Sequence, residues 1–384
     1  MVQNAPYQCP WATEEIEMFR AMVCRFLDTE MQPGDEQARK QGHVGRALWR
    51  RAGELSLLCS DIPEQYGGAG GDFRHEAVCF EEMARRGLTG FNSGVHSIVA
   101  HYILNHGTDA QKDIYLPRMA RGEMVGAIAM TEPGAGSDLQ GVRTTARLNG
   151  EHYRVNGAKT FISNGYLAGL VLVVCKTDPA AGAKGTSILI AETENLEGYR
   201  VGRLLDKIGM KAQDTAELFF DDVTLHRDQL LGGEEGQGFY QLMGDLPYER
   251  LIVSVNAVGA MEGAFAATLD YVKERNAFGR PVFEFQNTRF KLAEIATQVR
   301  VARTYLDRCI QDLVAGELDT VAASMAKMWT TDLQGKIIDE CLQLFGGYGY
   351  MNEYMIGRMY VDARVQRIYG GTNEIMKEVV ARSL

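Results

Sequence analysis

The sequence predicts an α+β protein in which a helical N-terminal part leads into a small β-barrel or sandwich and then into a helical bundle. Three observations predict it. Helical periodicity runs to about residue 124, short strand-like runs at close spacing replace it to about 232, and long helical periods then return and persist. No strand–helix–strand alternation occurs, and no Gly-x-Gly-x-x-Gly follows a strand, so a dinucleotide-binding doubly wound sheet is not expected. The 384 residues exceed what one core usually fills, in keeping with domains at 1–124, 125–232 and 233–384.

The elements follow in order. Thr13 can cap a helix that carries Glu14 and Glu15 in its first turn, and Ile16, Phe19, Val23 and Phe26 recur at helical spacing. Further helical stretches are expected at about 36–53, 75–86, 95–106 and 109–120, with Gly67 to Gly71 as a loop. Thr145 to Leu148 and His152 to Val155 flank Asn149-Gly150, a dipeptide suited to positive φ, which predicts a hairpin. Leu170 to Lys176, Ser187 to Ala191 and Ala216 to Phe220 read as further strands. Helices are expected again at roughly 237–273, 285–314, 319–345 and 373–383, the last two separated by Gly346-Gly347-Tyr348-Gly349.

Composition excludes several classes of function. The formal net charge of -10 opposes sequence-independent binding to nucleic acid and docking on an anionic membrane. The apolar run Gly169 to Cys175 is too short to span a bilayer. Met1 to Glu14 holds no Lys or Arg and no apolar segment, so no signal or transit peptide is read there and a cytoplasmic location is expected. The 7 cysteines form no Cys-x-x-Cys, and the 7 histidines form no ligand pattern, so neither disulfides nor a metal is predicted. His101 and His106 are ascribed to helix packing.

Three segments carry chemistry. In Ala129-Met130-Thr131-Glu132-Pro133-Gly134-Ala135-Gly136-Ser137-Asp138 a strand ends at Thr131, and small residues then let the backbone approach a ligand closely. The same string also suits a tight loop that closes a barrel strand. Lys159-Thr160-Phe161-Ile162-Ser163-Asn164-Gly165 sets a flat aromatic beside a hydroxyl, which suits a planar heterocycle, although strands commonly carry Phe and Ser. In the string from Arg364 to Ile375, Gly370-Gly371 permits close approach, and Thr372-Asn373 can cap the final helix.

Together these strings resemble the acyl-CoA dehydrogenase family over essentially the whole chain, and Gly209 to Glu217 and Gly370 to Glu378 look most like its long-chain branch. The resemblance implies an N-terminal all-α domain, a middle β-barrel and a C-terminal four-helix bundle. It also implies FAD as cofactor. Ile128, Ala129, Met130, Thr131 and Ser137 would line the flavin, with Phe161, Ile162 and Ser163 covering the isoalloxazine near N5. Arg275 and Gln286 would reach the pyrophosphate region. Gln343, Leu344, Phe345, Gly346 and Gly347 would reach FAD held by a neighbouring subunit, while Thr372, Asn373 and Glu374 would return to the cofactor of their own. A shared site of this kind implies a homo-oligomer, dimer or tetramer, and the family's electron acceptor is an electron-transfer flavoprotein.

The family chemistry needs a base for the α-proton of an acyl-CoA thioester and donors for its carbonyl. Many members carry the basic glutamate directly after the tyrosine of the C-terminal string, where this chain has Gly370. Pro247-Tyr248-Glu249-Arg250-Leu251 instead matches the branches whose base comes from the first long helix of the bundle, which implies Glu249. An arbitrary helical glutamate is usually solvated; the missing acid at Gly370 reverses those odds. Gly370 keeps a backbone N–H for the thioester oxygen, and Ser137, Tyr240, Pro247, Tyr248, Arg250 and Gly371 are implied neighbours of the acyl-CoA. Gly87, Gly90 and Gly94 lack the bulk to close the acyl cavity, which favours medium, long or branched chains, although they equally suit a loop and helix start. An oxidase-like use of the same site is the nearest rival, followed by a non-catalytic flavin- or acyl-CoA-binding relative.

Overall fold

A computed structural model describes residue 7 and residues 9–384. Residues 1–6 and 8, on which part of the expectation about a leader rests, lie outside the described residues. The backbone groups into two compact units that are each discontinuous along the chain. One comprises Thr29–Gly71 and Leu88–Glu249; the other comprises Asp72–Gly87, Arg250–Leu384 and the described part of Met1–Asp28. The three expected domains follow the order of the chain, whereas these units follow packing.

The first unit contains helices α2 (Asp35–Gln41), α3 (Arg46–Glu54), α5 (Ser93–His106) and α6 (Asp109–Ala120). Helices α1 (Glu14–Phe26) and α4 (Phe73–Arg85) belong to the other unit. The expected 36–53 helix is broken, because Gly42 adopts φ 81 and ends α2. Seven strands follow: β1 (Gly126–Ala129), β2 (Thr145–Asn149), β3 (His152–Ser163), β4 (Leu170–Lys176), β5 (Thr186–Glu192), β6 (Tyr199–Leu204) and β7 (Thr215–His226). Among the described residues they make one 7-stranded sheet in the order β1-β4-β2-β3-β7-β6, with β5 also paired to β4. The middle β domain is thus a half-barrel. The predicted hairpin is present, with Asn149 opposite His152 and Gly150 at φ 62.

Strand β4 is buried along its whole length, which explains its unbroken apolar run. Leu170, Leu172 and Val174 pack with Val99, Ile103, Leu116 and Met119 of α5 and α6. Val171, Val173 and Cys175 join Ala127, Ala129, Val155 and Leu218 on the opposite face. His96 pins α5 in place. Its Nδ1 accepts from the Gly126 amide at 3.0 Å, and its Nε2 lies 3.1 Å from the Met119 carbonyl. Burial pushes its pKa down to about 4, which keeps the ring neutral and able to accept.

The second unit contains α1 (Glu14–Phe26), α4 (Phe73–Arg85), α8 (Gln286–Val314), α9 (Thr320–Phe345), α10 (Met355–Ala363) and α11 (Asn373–Ala381). The long helix α7 (Gly238–Glu274) gives residues 238–249 to the first unit and 250–274 to the second. Thr13 caps α1 as expected, its side chain accepting from the Ile16 amide. Arg303 on α8 ties helices together through a bidentate pair with Glu262 of α7 at 2.7 and 2.8 Å, and a 2.8 Å bond to Glu81 of α4. Arg85 and Arg20 complete this buried network from α4 and α1.

Helix α7 is long and apolar enough to cross a bilayer by length and composition, although polar residues interrupt its apolar runs. Its most apolar window is 67% buried, as in the core helix of a folded protein.

Candidate active site

Glu249 lies on α7 with 8% of its surface exposed, so the solvated alternative does not hold. Its Oε1 accepts from the Tyr102 hydroxyl at 2.9 Å. Tyr102 stands on α5 and is fully buried. The two helices are joined on either side of this bond. Asp245, one turn before Glu249, accepts from Asn105 Nδ2 and pairs with His106 Nε2, each at 2.6 Å. The Tyr248 hydroxyl donates to Asp61 at 3.2 Å, and its ring stacks on His101 at 4.0 Å. His101 Nε2 also lies 3.2 Å from Asp61. The two histidines read as packing residues are therefore polar partners of carboxylates. Pro247 sits inside α7, where it withholds one intrahelical N–H. Tyr240 is 55% exposed.

The residues that the resemblance implies for lining a flavin from the 128–137 and 161–163 stretches lie in the same unit. Ile128 and Ala129 end β1, and the Thr160 amide donates to the Thr131 carbonyl at 3.0 Å, bringing the 129–138 and 159–165 strings side by side. Behind them Lys159 is buried. Its Nζ donates to the Met130 and Val174 carbonyls at 3.1 and 2.7 Å and to Glu132 at 2.8 Å. Glu132 in turn accepts the Arg143 and Thr144 amides. Burial lowers the Lys159 pKa more than Glu132 lifts it, while Lys159 and the amides hold the Glu132 carboxyl down against its own burial. This pair fixes the backbone of Met130, a role its residues did not betray in sequence.

The wall fits a flavin. A register shift between Lys159 and Ile162 takes Phe161 out of the β3–β7 pairing at φ 58 and leaves the residue 67% exposed. Ile162 turns inward and is buried, so it supports rather than covers. Ser163 Oγ accepts from Gln213 Nε2 at 3.1 Å, which leaves its hydrogen directed by that bond toward another acceptor. An exposed aromatic plane beside a hydroxyl donor suits an isoalloxazine with acceptor nitrogens. Ser137 is exposed on the adjoining loop.

The second unit holds the remaining predicted residues. Gly370 and Gly371 adopt φ 64 and 81. A Cβ on Gly371 would meet Met376 Cε at 2.7 Å, whereas one on Gly370 would find only Val253 at 3.6 Å. The Gly371 carbonyl accepts from buried Lys327 Nζ at 2.6 Å, and burial followed by Arg250 pulls that amine's pKa down to about 8. Arg250 is itself buried, with Nη1 donating to Ser324. Thr372 caps α11. Asn373 is occupied inside the fold, bonding Lys327, Thr331, Asp332 and the Met328 carbonyl, so its side chain is spent on structure; Glu374 is exposed. Arg275 and Gln286 are exposed at the end of α7 and the start of α8. Phe345 is buried and stacked on Tyr271 at 4.2 Å, Leu344 is half-buried, and Gln343, Gly346 and Gly347 are exposed.

Two of the glycines read as room for an acyl chain, Gly87 and Gly90, serve the backbone and its close packing. Gly87 closes α4 at φ 63, and a Cβ on Gly90 would collide with Val44 and Ala212 at 2.8 and 2.9 Å. Gly94 lies in the first turn of α5.

Family models described as the acyl-CoA dehydrogenase N-terminal, middle and C-terminal domains match residues 13–123, 127–223 and 236–384. The chain belongs to the acyl-CoA dehydrogenase family. Among curated relatives of that family, the mitochondrial long-chain specific acyl-CoA dehydrogenase of Mus musculus is 49% identical over 97% of this chain and 87% of that protein. An acyl-CoA dehydrogenase structure from Geobacillus kaustophilus matches with a TM-score of 0.94 at 45% identity, covering 98% of this chain and 99% of that one. A glutaryl-CoA dehydrogenase of Mycobacterium smegmatis, solved in complex with FADH2, matches with a TM-score of 0.90 at 26% identity over 97% and 95% of the two chains.

Proposed function

We propose that the chain is an FAD-dependent acyl-CoA dehydrogenase that forms a trans-2-enoyl-CoA, with Glu249 as the base. The observation that carries this reading is a buried carboxylate held by a tyrosine, in a chain whose usual position for the base is a glycine. Glu249 takes the α-proton of the thioester. The Gly370 amide donates to the thioester oxygen and stabilises the negative charge that develops there. FAD, held at the wall of Met130, Thr131, Phe161 and Ser163, would supply the acceptor for the β-hydride. Lys159 and Glu132 keep that wall in register. Two electrons then leave to an electron-transfer flavoprotein, and a dimer or tetramer completes each cofactor site through the Gln343 to Gly347 stretch. The likeness to a long-chain specific relative supports medium, long or branched acyl groups.

Anaerobic addition of saturated acyl-CoA thioesters of graded length tests the reading. Bleaching of the flavin is expected, fastest with the medium or long members, together with release of the 2-enoyl product. A flavin that stays oxidised with every thioester contradicts it. Bleaching that reverses rapidly in air with peroxide formed would assign the oxidase-like alternative instead.

A relocated base provides a second test. Gly370→Glu in a Glu249→Gln background is expected to recover turnover at least about tenfold above the single variant, since position affects such rates steeply. Space is available, but φ 64 at this position costs a side chain about 1–2 kcal/mol, so recovery should be partial. Product formation by the two variants at matched FAD content is the measurement.

A further inference from the structure

We propose that Tyr102 is a positioning residue for proton abstraction, fixing the plane and basicity of the Glu249 carboxylate; this rests on the reading of Glu249 as the base. A glutamate has three side-chain torsions, and its carboxylate can rotate away from the substrate unless something holds it. The Tyr102 hydroxyl does so at 2.9 Å from Oε1. The phenol is itself fixed because α5 is anchored along its length. His96 binds it to the Met119 carbonyl and the Gly126 amide. Asn105 and His106 bind it to Asp245, and His101 reaches Asp61.

The phenol is a permanent donor. Burial, and then the negative charges of Glu249 and Asp245, push its pKa well above the ordinary value, so it stays protonated across any working pH. A hydrogen bond to the ionised form of a carboxylate favours that form and moderates its strength as a base. The surrounding titratable groups are already paired with one another: His106 with Asp245, and Asp61 with both His101 and Tyr248. Tyr102 is therefore the group whose removal acts on Glu249 with least disturbance to these charges.

The test uses the FAD-loaded full chain and dodecanoyl-CoA as probe, comparing Tyr102→Phe, Glu249→Gln and the wild type. In Tyr102→Phe, flavin content is expected to be retained and plateau bleaching to slow by about 10- to 100-fold. The acid limb of kcat/KM is expected to move to higher pH by about half a unit or more, because the carboxylate loses a donor to its charged form. A rate loss with an unmoved acid limb would mean packing alone and would overturn the proposal. An unchanged rate and limb beside an inactive Glu249→Gln would overturn it while leaving the base in place. A fully active Glu249→Gln would remove the base and the role of Tyr102 together. Should Tyr102→Phe not fold, replacement of Tyr102 by 3-fluorotyrosine, a stronger donor, is expected to move the acid limb to lower pH, and an unmoved limb would again overturn the proposal.

Discussion

Glu249→Gln is expected to fold, to keep its FAD and to lose about 10^4-fold in turnover, the upper end of what a general base contributes. The substitution preserves shape and one hydrogen-bond acceptor, so the amide can still receive the Tyr102 hydroxyl that now bonds Oε1 at 2.9 Å. What it removes is the capacity to take a proton. Because Glu249 is only 8% exposed, bulk water has little access to serve as a substitute. The measurement is single-turnover bleaching of the flavin in anaerobic stopped flow, with flavin content read from the oxidised spectrum beforehand. An intact spectrum with bleaching that is slow at every acyl-CoA concentration is the predicted outcome. A raised KM with unchanged bleaching at saturation would instead place Glu249 in substrate binding.

The largest expected effect on stability comes from Arg303→Met. Arg303 is buried and serves Glu262 with two bonds and Glu81 with a third. Its removal strands acidic groups inside the protein, and breaking such a pair costs about 3–5 kcal/mol. Chemical denaturation should show that loss, with little change in the flavin bleaching rate of the folded fraction. The same network predicts acid sensitivity. Burial pushes the Glu82 carboxyl up, but Arg85, Arg86 and Arg20 outweigh it and hold it at about 2, against an ordinary 4.5; Glu262 is likewise lowered by Arg303 and Arg85 against its burial. A carboxyl depressed in the folded state binds fewer protons there than in the unfolded chain. Its contribution is therefore complete above the ordinary value and is lost as pH falls from about 5 toward 2. Denaturation midpoints that stay constant over that window would contradict the assignment.

Much of the fold was legible because local physics and tertiary packing agree. Thr13 caps the helix it was expected to cap, and Asn149-Gly150 turns the hairpin it was expected to turn. Strand β6 was missed because Tyr199-Arg200-Val201 alternates for only three residues before Gly202 breaks the pattern, and none of the strand is fully buried. Helix α10 was missed because its nine residues contain Gly357 and follow the glycine-rich stretch 346–349. Gly42 breaks a helical period that the apolar pattern carries straight through.

The site divided along similar lines. Its strings stand out because close backbone approach demands small residues in a fixed order, and Glu249, proposed as the base, was singled out by the family resemblance together with the vacancy at Gly370. Tyr102 carried no such mark, since it meets Glu249 across 147 positions of chain. Phe161 was visible as an aromatic, but the register shift that exposes it depends on how β3 pairs with β7. Asn373 shows the converse. Its motif suggested a ligand contact, while its side chain is consumed by four partners within the fold.

Exchange of substrate α-hydrogens with solvent tests the central claim most directly, because it isolates proton abstraction from hydride transfer. A 3-thia-acyl-CoA has sulfur at the β position and no hydride to give. With the wild-type protein in D2O its α-hydrogens are expected to exchange, and with Glu249→Gln they are expected to remain, as followed by mass spectrometry. Equal exchange by the two proteins would show that another group takes the proton.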